Sequence, residues 1–346
     1  MTDTAEPRIE FFTGSDAEWD DFVTSSELGT FCHLSGWREI MTDVLGHECR
    51  YLVALGEDGG WTGVLPLVHV QSRIFGRYLI SMPFLNYGGP LGSAESQTRL
   101  ADRAVAEARE RGADLLELRS RQSFPSELHV SSRKVTVLLE LPASAETLWS
   151  DGLKSKVRSQ IRRPQKEGMV ARFGTDLVEA FYEVFSQNMR DLGTPVLPKA
   201  LFERLVDVFP DSVHIGVVFK DDQPVAGGCG FLWRGEFEMT WASSLREFSR
   251  EAPNMLLYWS FIERVIEQGA TVFNFGRCTP GAGTHRFKLQ WGGSDLPLPW
   301  AQWSPHGKSE TPSPERPLYR VATAIWGRMP LILANRIGPV LARKLP

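Results

Sequence analysis

The alternation of apolar and polar positions predicts two similar series of strands and helices along the chain. The first series is strand 9–12, helices from residues 16 and 35, strands near 50–55, 61–70 and 78–81, helix 94–111 and strand 115–118. The second is strand 170–173, helices 176–192 and 199–209, strands 213–219, 225–233 and 236–242, helix 254–268 and strand 272–275. Two helices, antiparallel strands, a helix and a further strand are thus predicted twice.

Local similarity between the two series indicates a duplication. Residues 110–119 (ERGADLLELR) and 267–276 (EQGATVFNFG) each combine a helix end, a glycine and the start of a strand. Residues 51–64 and 215–228 each combine two extended runs around a polar turn. Repetition at near-constant spacing predicts two tandem copies of one α/β domain. The alternative is coincidence, because glycine commonly caps a helix that leads into a strand.

Length and composition agree with two domains of ordinary size. The chain has 346 residues, more than one core usually organises. We divide it into an N-terminal domain (1–150), a C-terminal domain (151–303) and a proline-rich linker with a basic tail (304–346). No apolar run follows the acidic first ten residues or is long enough to span a bilayer, and the four cysteines lack zinc-type spacing. These features predict a cytoplasmic protein without a metal site.

A net charge of −4 conceals a basic segment between the two predicted domains. Seven lysines and arginines lie between residues 154 and 172, where Glu167 is the one acidic residue. A helix from residue 155 places Arg158, Arg162 and Lys166 on one face. We therefore assign Lys156, Arg158 and Arg162 to binding an anion such as a phosphate, nucleic acid or acidic lipid. The alternative is a solvated connector whose charges only maintain solubility.

The tail from residue 317 has apolar positions at helical spacing interrupted by cations, and a second amphipathic piece follows Pro330. Short apolar faces, cations and Trp326 are typical of helices that lie in a membrane interface. The equal alternative is a tail docked on the protein's own core. The proline-rich stretch 304–317 predicts a linker that separates this tail from the body.

Several motifs resemble the FemAB-like branch of the GNAT acyltransferase superfamily. They are APNMLLYW at 252–259, FNFGR at 273–277, GTHRFK at 283–288 and Trp291-Gly292, with FCHLSGW at 31–37 and PFLNYGGP at 83–90. Within that branch the chain is most similar to FemAB-related proteins associated with exosortase and PEP-CTERM systems. The resemblance extends to about residue 303.

The resemblance implies a tandem pair of GNAT-like α/β (α+β) domains with largely antiparallel sheets flanked by helices. It also implies transfer of an acyl or aminoacyl group to an amine on an envelope, peptidoglycan or exopolysaccharide-related acceptor. The Gln/Arg-x-x-Gly-x-Gly/Ala stretch that holds coenzyme A in ordinary GNAT enzymes is missing from both copies. The donor therefore stays open between aminoacyl-tRNA, with tRNA as a co-substrate only, and acyl-CoA. No permanently bound cofactor is expected.

Candidate site residues follow from the chemistry of acyl transfer, which needs a proton acceptor and donors for the developing oxyanion. The glycine-rich loop after the strand at 272–275 occurs only in the second copy. Candidate catalytic residues are His285, Glu238 and Tyr258. Candidate substrate-binding residues are Arg277, Thr279, Gly281, Gly283, Arg286, Lys288, Asn86 and Tyr87. Lys288 has a structural alternative, with its stem packed along Phe287 and Trp291.

A non-catalytic function is the second hypothesis. The absent coenzyme A stretch is compatible with a peripheral-membrane module that binds an anionic glycan or a lipid-linked precursor. The glycine-rich loop argues for an enzyme, since a purely structural repeat would not require it. A dedicated nucleic-acid surface is less favoured, because few aromatic residues interleave with the cations at 154–172.

Overall fold

The computed structural model of the chain describes residues 6–72, 75–305, 307 and 317–345. Two compact units emerge. The first comprises Met1–Lys134, Pro297–Ser313 and Arg343–Pro346, and the second comprises Val135–Leu296 and Pro314–Ala342. The domain bounds proposed from the sequence, 1–150, 151–303 and 304–346, follow the duplication and stay a prediction.

Short strands and one long helix form the first unit. Its strands are β1 (Arg8–Phe11), β2 (Glu48–Cys49), β3 (Leu52–Leu55), β4 (Trp61–Leu65), β5 (Val68–Ser72), β6 (Gly76–Ile80), β7 (Leu91–Gly92) and β8 (Leu115–Leu118). Its α-helices are α1 (Asp16–Ser25), α2 (Gly36–Glu39) and α3 (Ala94–Glu110). Ser15 caps α1 through a capping box with Glu18, and Ser93 caps α3 by accepting from the Ser96 amide.

The strands of the first unit lie in two groups. In one, β1, β3, β4 and β7 pair in that order and antiparallel. In the other, β8 pairs parallel with β6, which continues antiparallel to β5 and then β2. The helix α3 packs its small and aliphatic side chains, including Leu100 and Ala104, into the core beside Leu52 and Leu116.

Longer strands build the second unit. The strand β9 (His129–Glu140) begins in the first unit and ends in the second. It is followed by β10 (Val170–Phe173), β11 (Val213–Lys220), β12 (Gln223–Trp233), β13 (Glu236–Ser244) and β14 (Val272–Cys278). The last strand, β15 (Ser294–Trp303), begins in the second unit and ends in the first. Its α-helices are α4 (Ala145–Thr147), α5 (Ser155–Lys166), α6 (Val178–Asp191), α7 (Lys199–Val208), α8 (Pro253–Glu267), α9 (Gly283–Leu289), α10 (Pro317–Trp326) and α11 (Leu331–Ala342).

One sheet with helices on both faces organises the second unit. Its strand order is β10-β11-β12-β13-β14-β9. The strands β13 and β14 pair in parallel, and every other pair of neighbouring strands in this order is antiparallel. Neighbouring residues of a strand face opposite sides. A Cβ at Gly227 would meet Phe181 of α6, whereas one at Gly228 would meet Phe261 of α8. The helices α6 and α8 therefore cover opposite faces, and glycine permits their close approach.

Both units contain the repeated helix, glycine and strand that the sequence predicted. Gly112 after α3 has φ +59° and Gly269 after α8 has φ +82°. The next residue donates five positions back in each case, Ala113 to the carbonyl of Ala108 and Ala270 to that of Val265. The strands that follow, β8 and β14, are the ones that pair in parallel. The same local chemistry thus builds the same turn twice.

Each unit completes its sheet with a strand from beyond its own repeat. In the second unit β14 pairs antiparallel with residues 135–140 of β9, which follow the first repeat in sequence. In the first unit β8 pairs antiparallel with residues 301–303 of β15, which follow the second repeat. The sequence patterns predicted neither strand. This exchange explains why the compact units do not coincide with continuous halves of the chain.

The tail helices α10 and α11 belong to the second unit, where α11 packs on α6. The predicted linker at 304–317 lies mostly outside the described residues. Across the described part of the chain, none of the helices combines the length and the hydropathy that crossing a bilayer requires.

Candidate active site

The parallel strands β13 and β14 stay paired for only part of their length. Their register runs from Glu236 opposite Val272 to Glu238 opposite Asn274. Farther along, β13 continues to Ser244 beside β12, and β14 reaches Cys278 beside β9. The strands therefore separate after Glu238 and Asn274.

Asn274, fully buried, fixes the point of separation. Its Nδ2 donates to Glu236 Oε1 at 2.8 Å and to Glu238 Oε2 at 3.2 Å. Its Oδ1 accepts from Thr136 Oγ1 at 2.5 Å and from the Gly276 amide at 2.8 Å. Both functions of the amide are satisfied, so the side chain links β13, β14 and β9 and holds the buried Glu238 carboxylate in place.

Lys288 extends from α9 to the same region. Its Nζ donates to the carbonyls of Gly276 at 2.7 Å and Arg277 at 3.0 Å, and the residue is buried. Burial lowers the pKa of Lys288 to about 8, although the charge of Glu238 opposes the shift. An ammonium has three donors, so one N–H is not used by these carbonyls. Glu238 and Lys288 thus place opposite charges close to the opening.

His285 is held on both sides of its ring. Nδ1 accepts from the Gly281 amide at 3.0 Å, and Nε2 lies 2.9 Å from Asp295 Oδ1. An Nδ1 that accepts a hydrogen bond requires the proton on Nε2, which then donates to the carboxylate. The ring therefore ties the loop to the start of β15, and its lone pair is already engaged. A role as general base stays a prediction that this geometry does not favour.

The glycine-rich loop is largely open to solvent. Thr279, Gly281, Gly283 and Arg286 are exposed, and Arg277 is half-buried. The guanidinium of Arg286 donates to the Gly281 carbonyl at 2.6 Å, so this cation braces the loop. A Cβ at Gly281 or Gly283 would meet no atom within 4 Å. The loop therefore leaves room for a substrate, while its predicted anion binding stays a prediction.

Tyr258 of α8 packs in a cluster of aromatic rings from β14 and the segment of α9. Its ring centroid is 5.0 Å from that of Phe287, 5.7 Å from Phe275 and 6.2 Å from Trp291. Burial raises the pKa of Tyr258 well above its ordinary value, so the phenol stays protonated at neutral pH. This environment favours packing, and proton donation by Tyr258 stays a prediction.

The basic helix α5 lies elsewhere in the second unit and uses its cations differently. Arg158 Nη1 donates to the carbonyls of Trp149, Ser150 and Leu153 at 2.7–3.0 Å, so this guanidinium caps the preceding turn. Lys156 is exposed, and Arg162 stacks 5.1 Å from the Trp149 ring. Of the three predicted anion ligands, Arg158 is thus committed to backbone carbonyls.

Asn86 and Tyr87 belong to the first unit, where both are buried. Tyr87 lies under the Arg121 guanidinium, 5.0 Å from ring centroid to carbon. It lines a small pocket with His33 and Ser120. Burial lowers the pKa of His33 to about 4, so that imidazole is neutral. Substrate binding by Asn86 and Tyr87 stays a prediction.

The first unit fills its own point of strand separation with an ion pair. Glu117, opposite Ile80 in the parallel register, accepts from Arg119 Nε at 2.8 Å and from Gln302 Nε2 at 2.7 Å. Arg119 Nη1 donates to the Leu85 carbonyl at 2.9 Å. Both charged residues are buried.

Sequence reasoning missed three polar residues of the second unit that position its candidates. Asn274 belongs to the motif FNFGR, and the signal for its role is one amide inside the apolar run VFNF. Asp295 and Thr136 carried no local signal. Both come from strands that the pattern did not predict, so their partners emerge only from the fold.

Comparison with known proteins agrees with this fold. The family model described as an acetyltransferase (GNAT) domain matches residues 153–289. The structure of FemX is similar at a TM-score of 0.62 and 15% identity, covering 91% of this chain and 100% of that one. A tandem GNAT protein from the clavulanic acid biosynthesis pathway is similar at 0.54 and 11%, covering 88% and 100%. No curated protein sequence matches.

A third similar structure is the C-terminal domain of a protein assigned as a lysylphosphatidylglycerol synthetase from Agrobacterium fabrum. Its TM-score is 0.55 at 13% identity, with 93% of this chain and 97% of that one covered. These likenesses confirm the tandem GNAT-like fold, and residues 153–289 match the model of the GNAT acetyltransferase domain. The association with exosortase systems stays a prediction.

Proposed function

We propose that this chain, whose second unit carries a GNAT-type acyltransferase domain, joins an acyl or aminoacyl group to an amine at the opening between β13 and β14. The observation that carries the proposal is the buried group of Glu238, Asn274 and Lys288 where these strands part. All three lie inside residues 153–289, the range matched by the acyltransferase family.

The separated strands offer a binding surface. Backbone N–H and C=O groups must find partners, and a strand edge without a neighbour can pair with an extended amide-containing molecule. The edge of β13 beyond Glu238 faces away from β12 and is no longer in register with β14. An extended arm that pairs there would bring the acyl carbon of the donor, or the amine nitrogen of the acceptor, towards Lys288.

The charged residues suit the proton movements of the reaction. The amine nitrogen attacks the acyl carbon, the carbon–nitrogen bond forms, and the bond to the donor oxygen or sulfur breaks. Glu238 accepts the proton that the amine loses. The Lys288 ammonium stabilises the tetrahedral oxyanion and supplies a proton to the leaving group, a role that a pKa of about 8 permits at neutral pH.

The charge of the second unit bears on the classes of donor and acceptor molecule. Aminoacyl-tRNA and acyl-CoA both carry phosphates, and the exposed cations of α5 offer a surface for either of them. We propose an amine on an envelope, peptidoglycan or exopolysaccharide-related precursor as the acceptor. Such an enzyme would work in the cytoplasm or at the inner face of the membrane, where these precursors are assembled.

A donor screen tests the proposal. Full-length protein is incubated with aminoacyl-tRNA, acyl-CoA or acyl-carrier donors plus amine-bearing envelope precursors, and products are read by mass spectrometry. We expect a mass increase of one acyl or aminoacyl group that disappears in Lys288→Met and Glu238→Gln. Lys199→Met, which removes a half-buried lysine on α7, is the matched control and should keep full activity.

A specific result would contradict the proposal. If no donor yields a mass shift while the protein binds an anionic glycan or lipid-linked precursor, the chain is the non-catalytic module that the sequence left as the second hypothesis. Equal activity of the Lys288→Met and wild-type proteins would instead move the chemistry away from this opening.

A further inference from the structure

The tail helices dock on the second unit through small residues. In α11, Ala334, Gly338 and Ala342 recur every four positions and are buried. A Cβ at Gly338 would lie 3.1 Å from the backbone and side chain of Val196, and Asn335 Nδ2 donates to Ser186 Oγ of α6 at 3.2 Å. These contacts fix which face of α11 points inward.

The connection between α10 and α11 is fixed as well. Arg190 Nη1 donates to the Met329 carbonyl at 3.1 Å. A Cβ at Gly193 would come within 2.2 Å of Thr323 Cγ2, so glycine is required where the end of α6 meets α10. Trp326, which the sequence left open between a membrane interface and the protein's own core, is half-buried. The orientation of both helices is therefore set by contacts within the second unit.

The outward face of these helices is made of large aliphatic side chains. Those of α10 and α11 that are exposed by 41–83% are Val321, Ile325, Ile332, Leu333, Ile337 and Val340. A helix whose purpose is to pack on its own protein buries such residues and exposes polar ones. In α11 the small residues are buried and the large aliphatic ones are exposed. Exposed apolar clusters of this kind mark interaction sites.

The charge of the same segment identifies the partner. Residues 317–346 contain Arg320, Arg328, Arg336, Arg343 and Lys344 and no Asp or Glu, in a chain whose net charge is −4. The exposed Arg336 lies between Ile332 and Ile337 on α11. Long cationic side chains at an apolar face can reach phosphates above it while their stems stay among acyl chains.

We propose that the outward face of α10 and α11 binds the surface of an anionic phospholipid bilayer. The twelve residues of α11 extend about 18 Å, too short to cross the hydrocarbon core of about 30 Å, so the helix lies in the plane of the interface. Apolar side chains enter the acyl boundary and the cations pair with lipid phosphates. This proposal is independent of acyl transfer, and either can fail without the other.

Flotation of full-length protein with vesicles tests the proposal. One vesicle set contains phosphatidylglycerol in phosphatidylcholine, and the other contains phosphatidylcholine alone. We expect flotation with the anionic set that weakens at high salt. The double variant Ile332→Ser/Ile337→Ser should lower the partition coefficient about tenfold or more, and Arg336→Gln about fivefold.

A matched control distinguishes binding by the outward face of α10 and α11 from a general effect of removing exposed apolar surface. Val130 and Val170 are exposed by 45% and 56% outside the tail, so Val130→Ser/Val170→Ser removes similar apolar surface and should float like wild type. The tail variants should melt as wild type does, since their side chains point outward. Equal flotation of the Ile332→Ser/Ile337→Ser and wild-type proteins would overturn the proposal. So would a dimer, seen by light scattering, that dissociates in the tail variant while wild type does not float.

Discussion

The two units separate their parallel strands at equivalent positions but fill those positions with different chemistry. In the first unit Ile80 faces Glu117, and the carboxylate is neutralised by Arg119. In the second unit Glu238 faces Asn274, a neutral amide, and the nearby cation is Lys288. The duplicated fold thus carries a direct ion pair in one copy, and in the other a carboxylate that is hydrogen-bonded to an amide with a lysine nearby.

The surrounding loops reinforce this difference. In the first unit the backbone of Arg119 bonds Ser81 Oγ and the Gly89 amide, while its guanidinium holds the Leu85 carbonyl. The segment 81–89, which includes Met82 and Phe84 at positive φ, is thereby tied over the strand ends. In the second unit a glycine-rich loop with exposed residues follows β14. We infer that the first copy uses its charges for structure and the second uses them for chemistry.

The largest expected effect is on stability in the first unit. Glu117→Gln leaves the Arg119 guanidinium buried without its charge partner, so the free energy of unfolding should fall by about 3–5 kcal/mol. Glu238→Gln, the same isosteric change at the buried carboxylate of the second unit, should cost only about 1–2 kcal/mol, because this carboxylate accepts a hydrogen bond from the neutral Asn274 amide. Urea denaturation measures both. Equal losses would contradict the contrast between the two units.

The next effect is on turnover in the second unit. Lys288→Met should lower kcat by about 10²–10³ because it removes a cation from the developing oxyanion. Arg119→Met, which removes the buried cation of the first unit, should destabilise the protein but leave the kcat of the folded fraction unchanged. Single-turnover transfer below the melting temperature of each variant separates the two outcomes.

The pH dependence of stability gives a third contrast. The folded pKa of Lys288 is lowered to about 8 from an unfolded value near 10.5, so between these values the unfolded state binds more protons. Unfolding free energy should therefore rise with pH across this window, by about 2 kcal/mol from pH 7 to pH 10 relative to Lys288→Met. If the difference in unfolding free energy between the two proteins stayed constant with pH, the Lys288 ammonium would be solvated and not buried.

The smallest effect is expected for His285. His285→Asn keeps a hydrogen-bonding side chain but loses the bridge between the Gly281 amide and Asp295, so it should cost about 1 kcal/mol of stability. The kcat should change by no more than a few-fold. A loss of activity as large as that of Lys288→Met would restore His285 as the general base.

The sequence predicted the repeated core closely because its signals are local. The helix expected at 254–268 is α8 (Pro253–Glu267), and the helix expected at 94–111 is α3 (Ala94–Glu110). Amphipathic periodicity and a following glycine with positive φ define both helices without any tertiary contact. The strand expected at 272–275 continues to Cys278, beyond a bulge that no apolar pattern encodes.

The site was predicted less completely because its geometry depends on pairings far apart in sequence. Thr136 reaches Asn274 only because β9 joins the second unit, and Asp295 reaches His285 from the start of β15. Neither strand was predicted. The sequence identified Lys288 and His285 as candidates. It could not show which of them keeps an uncommitted hydrogen-bonding group, because that depends on backbone carbonyls and amides whose positions come from the fold.

The pH dependence of single-turnover amide formation, compared between wild type and Lys288→Arg, tests the central claim most directly. If the Lys288 ammonium assists the transfer, the wild-type rate should fall as pH rises through about 8, while the arginine variant should be slower and show no transition there. A transition near pH 8 that persists in Lys288→Arg, or a wild-type rate that is flat across this range, would contradict a role for this lysine at the opening between β13 and β14.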